Sequence, residues 1–346
     1  METNIPLLEV KDLRTYFYME EGISHAVDGV DFTINRGSTV GVVGESGCGK
    51  SVTAYSILQL VSKPGKIVSG SAILHRIPQA GQPAGQVETI DLLKLPANSP
   101  ELRNMRGGEI SMIFQEPMVS LSPLHTIGDQ ISENILLHRK VSKKEAMDLS
   151  ADMLTKVGIP RAEERLATYP FQLSGGMRQR AMIALALVCR PSLLIADEPT
   201  TALDVTTQAQ ILELITGLQS EMGMAVMMIT HNLGVVAEMC EEVVVMYLGE
   251  VVEQAPVDPL FHDPLHPYTQ ALLRSIPRLG ASKGNKLEPI EGTVPDPYNR
   301  PKGCPFHPRC AKKIAGRCDE ERPELYVMQD GRRVRCLLYE KEAYHA

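Results

Sequence analysis

The sequence predicts an α/β fold with a mainly parallel sheet, on three observations. A continuous apolar run, Thr39-Val-Gly-Val-Val43, leads into a glycine-rich loop and then a helical segment from Ser51 to Val61. Farther along, short apolar runs alternate with helical periodicity: Leu193–Ala196, Gln208–Ser220, Ala225–Thr230, then Val243–Met246 and Val251-Val252. Between these stretches, from Val119 to about Ala167, apolar residues recur at helical spacing, as at Ile127, Ile131 and Ile135. Unbroken apolar runs mark strands covered on both faces. Strand–helix alternation with a helical insert, about residues 118–189, then argues for a parallel sheet carrying an inserted helical subdomain.

The remaining elements follow from local pattern. Leu7–Val10 and Ala26–Ile34 read as strands, with Asn35-Arg36-Gly37 as a turn between Ile34 and the buried strand. Residues 77–101 are rich in Pro, Gly, Gln and Asn and read as a surface loop insertion. Ile110–Gln115 reads as a strand and Ala181–Val188 as an apolar helix. After about Asp263 prolines recur and periodicity thins out, which places a boundary between residues 1–262 and 263–346.

Composition narrows the function. The chain has 346 residues, near-average apolar and charged content, and a net charge of −7. That length can bury a core, and the acidic balance disfavours nucleic acid as the main partner. From Arg300 to Ala346 the charge turns mildly basic, but bases and acids interleave, as on a solvated face. The longest clean apolar run, Ala181 to Cys189, is far short of the roughly twenty residues of a spanning helix. With no signal-like N-terminus, folding in the cytosol is expected.

Gly44-Glu45-Ser46-Gly47-Cys48-Gly49-Lys50-Ser51 fits G-x-x-x-x-G-K-[ST], after a strand and before a helix. Glycines let the backbone form a nest of N–H groups, and the helix start adds partial positive charge. Lys50 is expected on the β- and γ-phosphates and Ser51 on Mg²⁺, with Val52 completing the nucleotide contact. Leu193–Ala196 ends in Asp197 and Glu198. Asp197 suits Mg²⁺, and Glu198 suits the attacking water. Ser174-Gly175-Gly176 opens a further helix, a second anion-binding device. Two such devices suit a nucleotide sandwiched between subunits.

These motifs, in this order over about residues 5–255, resemble the ATP-binding subunit of an ABC transporter. The resemblance implies an ABC-type P-loop ATPase core, mainly parallel with an antiparallel β part. Leu173–Met177 is then the signature, with Met177 where the family prefers Gln. Gln115 matches the Q-loop and the Mg²⁺ and γ-phosphate sensor, Ala202-Leu203-Asp204 the D-loop, and His231 the switch histidine. The catalytic set implied is Glu198, His231, Lys50 and Gln115, with adenine stacked on Phe17, or next on Tyr16. Implied partners are two integral-membrane permeases, a second and paralogous ATPase, and indirectly an extracytoplasmic substrate-binding protein, with no nucleic acid. The implied location is peripheral, at the cytoplasmic face of the cell (inner) membrane. An ABC-type DNA-repair or chromosome ATPase is the alternative.

Cys304, Cys310, Cys318 and Cys336 crowd the proline-rich tail. Four thiolates suit an iron–sulfur cluster or zinc, although no gap is as short as in zinc ribbons. A tail so poor in apolar periodicity also needs a staple. His266–Leu273 with Gly303–Cys310 resembles the C-terminal region of oligopeptide/dipeptide importer ATPases. That resemblance implies peptide import and a small C-terminal metal-bound extension holding a [4Fe–4S] cluster.

Overall fold

The computed structural model describes residues 5–76, 87–115, 120–201, 203–275 and 290–344. The chain forms two compact units. One consists chiefly of Ile34–Ser38 and Lys94–Met228; the other joins Leu8–Thr33, Thr39–Leu93 and Ile229–Ala346.

In the first unit, strands β6 (Ile110–Ile113), β7 (Leu193–Asp197) and β8 (Ala225–Ile229) lie in the order β8-β7-β6. β6 and β7 run parallel, with Ile110 opposite Leu193 and Ile113 opposite Ala196. Every residue of β7 and β8 is buried, which explains their unbroken apolar sequence. The helical stretch resolves into Ile127–His138, Lys143–Lys156 and Ala162–Arg165. Thr126 and Ser142 cap the first two by accepting the N–H of Asp129 and Glu145. Ile127, Ile131 and Ile135 are buried along one face. The helix expected over Ala181–Val188 begins earlier, at Gly175, and runs to Leu187.

In the second unit, β1 (Leu8–Met19), β2 (Gly22–Ile34), β4 (Gly65–Arg76) and β5 (Glu88–Asp91) form a sheet in the order β2-β1-β4-β5. Its β1–β4 and β4–β5 pairs are antiparallel. A further run, β11-β12-β10-β9-β3, carries the buried strand β3 (Thr39–Val43) parallel to β9 (Glu242–Tyr247). β10 (Glu250–Pro256) returns antiparallel to β9. The tail adds β12 (Arg333–Val334) to β10, and β11 (Tyr326–Val327) to β12. The first two strands are longer than their apolar runs suggested, because ladder pairing extends through half-exposed residues.

The loop expected over 77–101 is corrected in part. Residues 77–86 lie outside the described residues, but Glu88–Asp91 is a strand and Pro100–Gly108 a helix capped by Ser99. Polar composition hid both, since β5 is an edge strand with one buried residue, Ile90. The tail is likewise not bare of regular structure. Helix Pro267–Arg274 starts at His266, whose Nδ1 accepts the Tyr268 N–H at 3.0 Å. Glu253 on β10 receives the backbone N–H groups of Leu265 and His266 at 2.7 and 2.8 Å.

His266 is 1% exposed, and burial pulls its imidazole down to about 3. As pH falls below the ordinary value near 6.5, the unfolded chain takes up a proton that the folded chain refuses. Stability is then lost at about 1.4 kcal/mol per unit until the folded value is reached. Asparagine keeps an N-cap acceptor but does not titrate. Urea unfolding at pH 6.5 and 5 should therefore show the native chain losing roughly 2 kcal/mol more than His266→Asn. Equal losses would contradict this.

Candidate functional site

The phosphate loop lies in the second unit, between β3 and the helix Lys50–Ile57. Two glycines are there because nothing else fits. Gly44 has φ +153°, and a Cβ would sit 2.3 Å from the Met246 carbonyl oxygen. Gly49 has φ +102°, and a Cβ would sit 2.1 Å from the Ala26 carbonyl oxygen. Gly49 starts the helix without a side-chain cap. Lys50, 6% exposed, folds back to donate to the Gly44 and Glu45 carbonyls at 2.9 and 3.0 Å. Cys48 is buried with Sγ near the Lys50 ammonium, and burial pushes its thiol up. Ser46 and Gly47 are exposed, and Ser51 and Val52 are half-buried on the first helical turn. His231 is also exposed in this unit, directly after the buried Thr230.

The expected adenine-stacking aromatics are both engaged. Tyr16 donates its hydroxyl to Asp28 at 2.9 Å, and its ring stacks on His25 at 4.1 Å. Phe17 pairs with Gly65 in the β1–β4 ladder, with its ring against the Gly65 backbone. Tyr18, next in line, is the more exposed ring at 43%.

In the first unit, β7 ends in the fully buried Asp197 and the half-buried Glu198. Glu198 has φ +47°, a left-handed conformation costly for a residue with a side chain. Its Oε2 accepts from Gln115 Nε2 at 3.1 Å and from Thr201 Oγ1 at 2.8 Å. The structure thus brings together Gln115 and Glu198, which lie far apart in sequence. The amide fixes the carboxylate at the strand mouth, the arrangement needed to orient a water. Gln115 lies just beyond β6, which ends at Ile113.

Ser174 caps the helix Gly175–Leu187, accepting the Met177 N–H at 3.3 Å. A Cβ on Gly175 would meet nothing within 4 Å, so this helix start is open. Gly176 has only the Thr207 methyl nearby, 3.2 Å from where its Cβ would stand. Asp204 serves as a cap too, accepting the Thr207 N–H at 3.0 Å and hydroxyl at 2.7 Å, which hold its carboxyl below the usual range. Ala202 lies outside the described residues.

The metal-bound extension is a correction. Cys304, Cys310, Cys318 and Cys336 do line one cavity, with His266 and His307. That cavity measures about 10 Å³, room for one water-sized body at most. Among the described residues, no three or more His, Cys, Asp or Glu side chains are grouped to hold a metal ion. Burial pushes the Cys304 thiol up to about 12 and Cys336 to about 11. The iron–sulfur expectation is therefore not supported, and nothing among the described residues supports zinc in its place.

The staple is ionic instead. Asp28 and Glu250, 2% and 1% exposed, take arginines from the tail. Arg300 reaches Asp28 at 2.8 Å, and Arg322 reaches Asp28 and Glu250 at 2.7 Å each. Arg14 adds a bond to Asp28 at 2.9 Å. Burial would raise the Asp28 carboxyl, but Arg322, Tyr16 and Arg300 outweigh it and hold it well below the usual range. Sequence reading missed this cluster, because the arginines lie some 270 to 290 residues from Asp28 with no motif linking them.

A glycine-rich loop between strand and helix, a buried strand ending in an acidic pair and an open glycine-led helix start fit one class: an ATP-binding cassette. Comparison with known proteins gives the particular case. Residues 27–201 match the family described as ABC transporter, and residues 252–318 match the oligopeptide/dipeptide transporter C-terminal region. The chain is 51% identical to the oligopeptide transport ATP-binding protein AppD of Bacillus subtilis, covering 97% of this chain and 98% of that one. It is 45% identical to the dipeptide transport ATP-binding protein DppD of Escherichia coli, over 95% and 96% of the two chains. Among solved structures it resembles the ADP- and phosphate-bound dimer of the cassette MJ0796. There the TM-score is 0.62 and identity 27%, covering 72% of this chain and 99% of that one. The chain belongs to the ABC transporter family and is an ATPase.

Replacing Asp28 with asparagine leaves Arg300 and Arg322 with Glu250 as their one buried carboxylate. With Arg14 and Arg322 partly exposed and so partly screened, Asp28→Asn should destabilise the fold by about 3 kcal/mol in chemical denaturation. A loss under about 0.5 kcal/mol, the range of a surface pair, would show that the cluster is no staple.

Proposed function

We propose that this chain energises peptide import, as the ATPase subunit of a transporter for oligopeptides, dipeptides or related small solutes. The two sequence relatives named above are peptide-transport proteins, and the matches cover 97% and 95% of this chain. Partner permeases supply the membrane path, and an extracytoplasmic binding protein supplies substrate. The second ATPase is a paralogue, and this chain sits peripherally at the cytoplasmic face of the membrane, bound to the permeases. Among the described residues no helix is long and apolar enough to cross a membrane, which suits that role. No observation on this acidic chain favours DNA repair.

The observation that carries the mechanism is the Gln115–Glu198 contact at 3.1 Å. In this reading Glu198 accepts a proton from the attacking water, and Gln115 holds the carboxylate in place until nucleotide engages it. Lys50 exchanges the Gly44 and Glu45 carbonyls for phosphate oxygens, and His231 offsets charge on the transferred phosphoryl group. Ser174, Gly175 and Gly176 offer their helix start to the nucleotide of the partner ATPase, beside Asp204. Phe17, or Tyr16, meets the adenine. Ser51, Gln115 and Asp197 offer hydroxyl, amide and carboxylate oxygens, the hard donors Mg²⁺ takes. Mg²⁺, when bound, neutralises charge building on the phosphates. Residues 263–346 act as a C-terminal extension of the nucleotide-binding part, residues 1–262.

Glu198→Gln should keep ATP binding and lower hydrolysis by about 10² to 10³-fold. Labelled di- and oligopeptide uptake by cells carrying only this variant should fall to the level of cells lacking the chain. Full hydrolysis in the variant would remove Glu198 from its role. Normal peptide uptake without the chain would remove the peptide.

A further inference from the structure

The phosphate loop is gripped from the tail by Arg309, a residue outside every nucleotide-binding motif. Arg309 lies on the short turn His307–Arg309. Its Nη1 donates to Glu45 Oε2 at 2.7 Å, and its Nη2 to Oε1 at 3.1 Å. The Arg309 side chain is 4% exposed and that of Glu45 25%. The arginine is itself fixed. Its Nε donates to the Glu291 carbonyl at 3.0 Å, and the guanidinium lies 5.9 Å from the centre of the Tyr247 ring. Tyr247 packs with Tyr268 and Phe306 in an aromatic cluster, with ring centres 4.7 to 5.4 Å apart. The Tyr268 hydroxyl then accepts the Glu45 backbone N–H at 2.9 Å. Both the carboxylate and the amide of one loop residue are thus tied to the tail.

The charge matters more than the tie. Glu45 places a full negative charge on a loop whose N–H groups and helix start carry only partial positive charge. Left alone, that carboxylate opposes the phosphates of a nucleotide. A bidentate guanidinium cancels it and fixes its direction, which a lysine ammonium does only in part.

We propose that Arg309 is a positioning residue for ATP binding: by neutralising and orienting Glu45, it lets the C-terminal extension set the affinity of the phosphate loop. The proposal rests on the reading of Gly44–Ser51 as the phosphate cradle. The test is the Kd for ATP of the full chain, by calorimetry, with melting temperatures recorded alongside. Arg309→Met should weaken binding about tenfold, the effect of one partly screened charge. Arg309→Lys should fall between the two. Arg309→Met/Glu45→Gln should regain most of the affinity, since no carboxylate is left uncompensated.

A merely structural arginine gives a different pattern. Melting temperatures then fall, and the double variant binds no better than the single one. That result, or an unchanged Kd in Arg309→Met, overturns the proposal. Should Arg309→Met fail to fold, Arg309→Lys against Arg309→Lys/Glu45→Gln makes the same comparison, and no recovery there overturns it too. Lys50→Ala is measured in parallel. ATP binding that survives it faults the cradle reading rather than the brace.

Discussion

The constraint on which the site depends is the backbone path through Gly44–Lys50. The chain leaves a fully buried strand and must turn at once into a helix, beneath the Met246 and Ala26 carbonyls. Only glycine passes at the two tight points. Lys50 then closes the loop on its own carbonyls, so the concave form is held by the protein's own hydrogen bonds. A preformed cradle needs little rearrangement when phosphates arrive, and preorganised donors are the larger part of phosphoryl-transfer catalysis.

Around this path the second unit supplies support at several points. Gly249 donates to the Cys48 carbonyl at 2.9 Å and accepts the Asp28 N–H at 2.8 Å, so the turn after β9 steadies the loop. Asp28 in turn anchors the tail arginines. The tail returns the support through Tyr268 and Arg309 on Glu45. A segment with few apolar contacts of its own is therefore held by strand addition to β10, by buried ion pairs and by a small apolar cluster of Leu265, Val334 and Cys336.

Much of this was legible in the sequence where physics acts locally. Buried parallel strands need unbroken apolar runs, and β3, β7 and β8 have them. The strand–loop–helix path at Gly44–Lys50 was legible because glycine and lysine recur there at the fixed spacing of a phosphate loop. Gln115 and Glu198 were each singled out through family resemblance, but their contact left no trace in the sequence, since a whole helical region separates them. The edge strand Glu88–Asp91 was hidden by its polar face. The cysteines misled for a different reason. Crowding in sequence suggested a metal, whereas among the described residues no three or more His, Cys, Asp or Glu side chains are grouped to hold one. What holds the tail instead, arginines meeting Asp28 from 272 and 294 residues away and Glu250 from 72, leaves no sequence pattern at all.

The central claim is that Gly44–Ser51 is a preformed cradle, held by Lys50 and braced through Glu45. It is tested most directly by a structure of the full chain with ATP and Mg²⁺. The account predicts that Lys50 Nζ gives up the Gly44 and Glu45 carbonyls for phosphate oxygens. The glycine backbone and the Arg309–Glu45 pair should keep their present geometry. A nucleotide seated away from this loop, or a loop that refolds at Gly44 and Gly49 to admit it, would contradict the account.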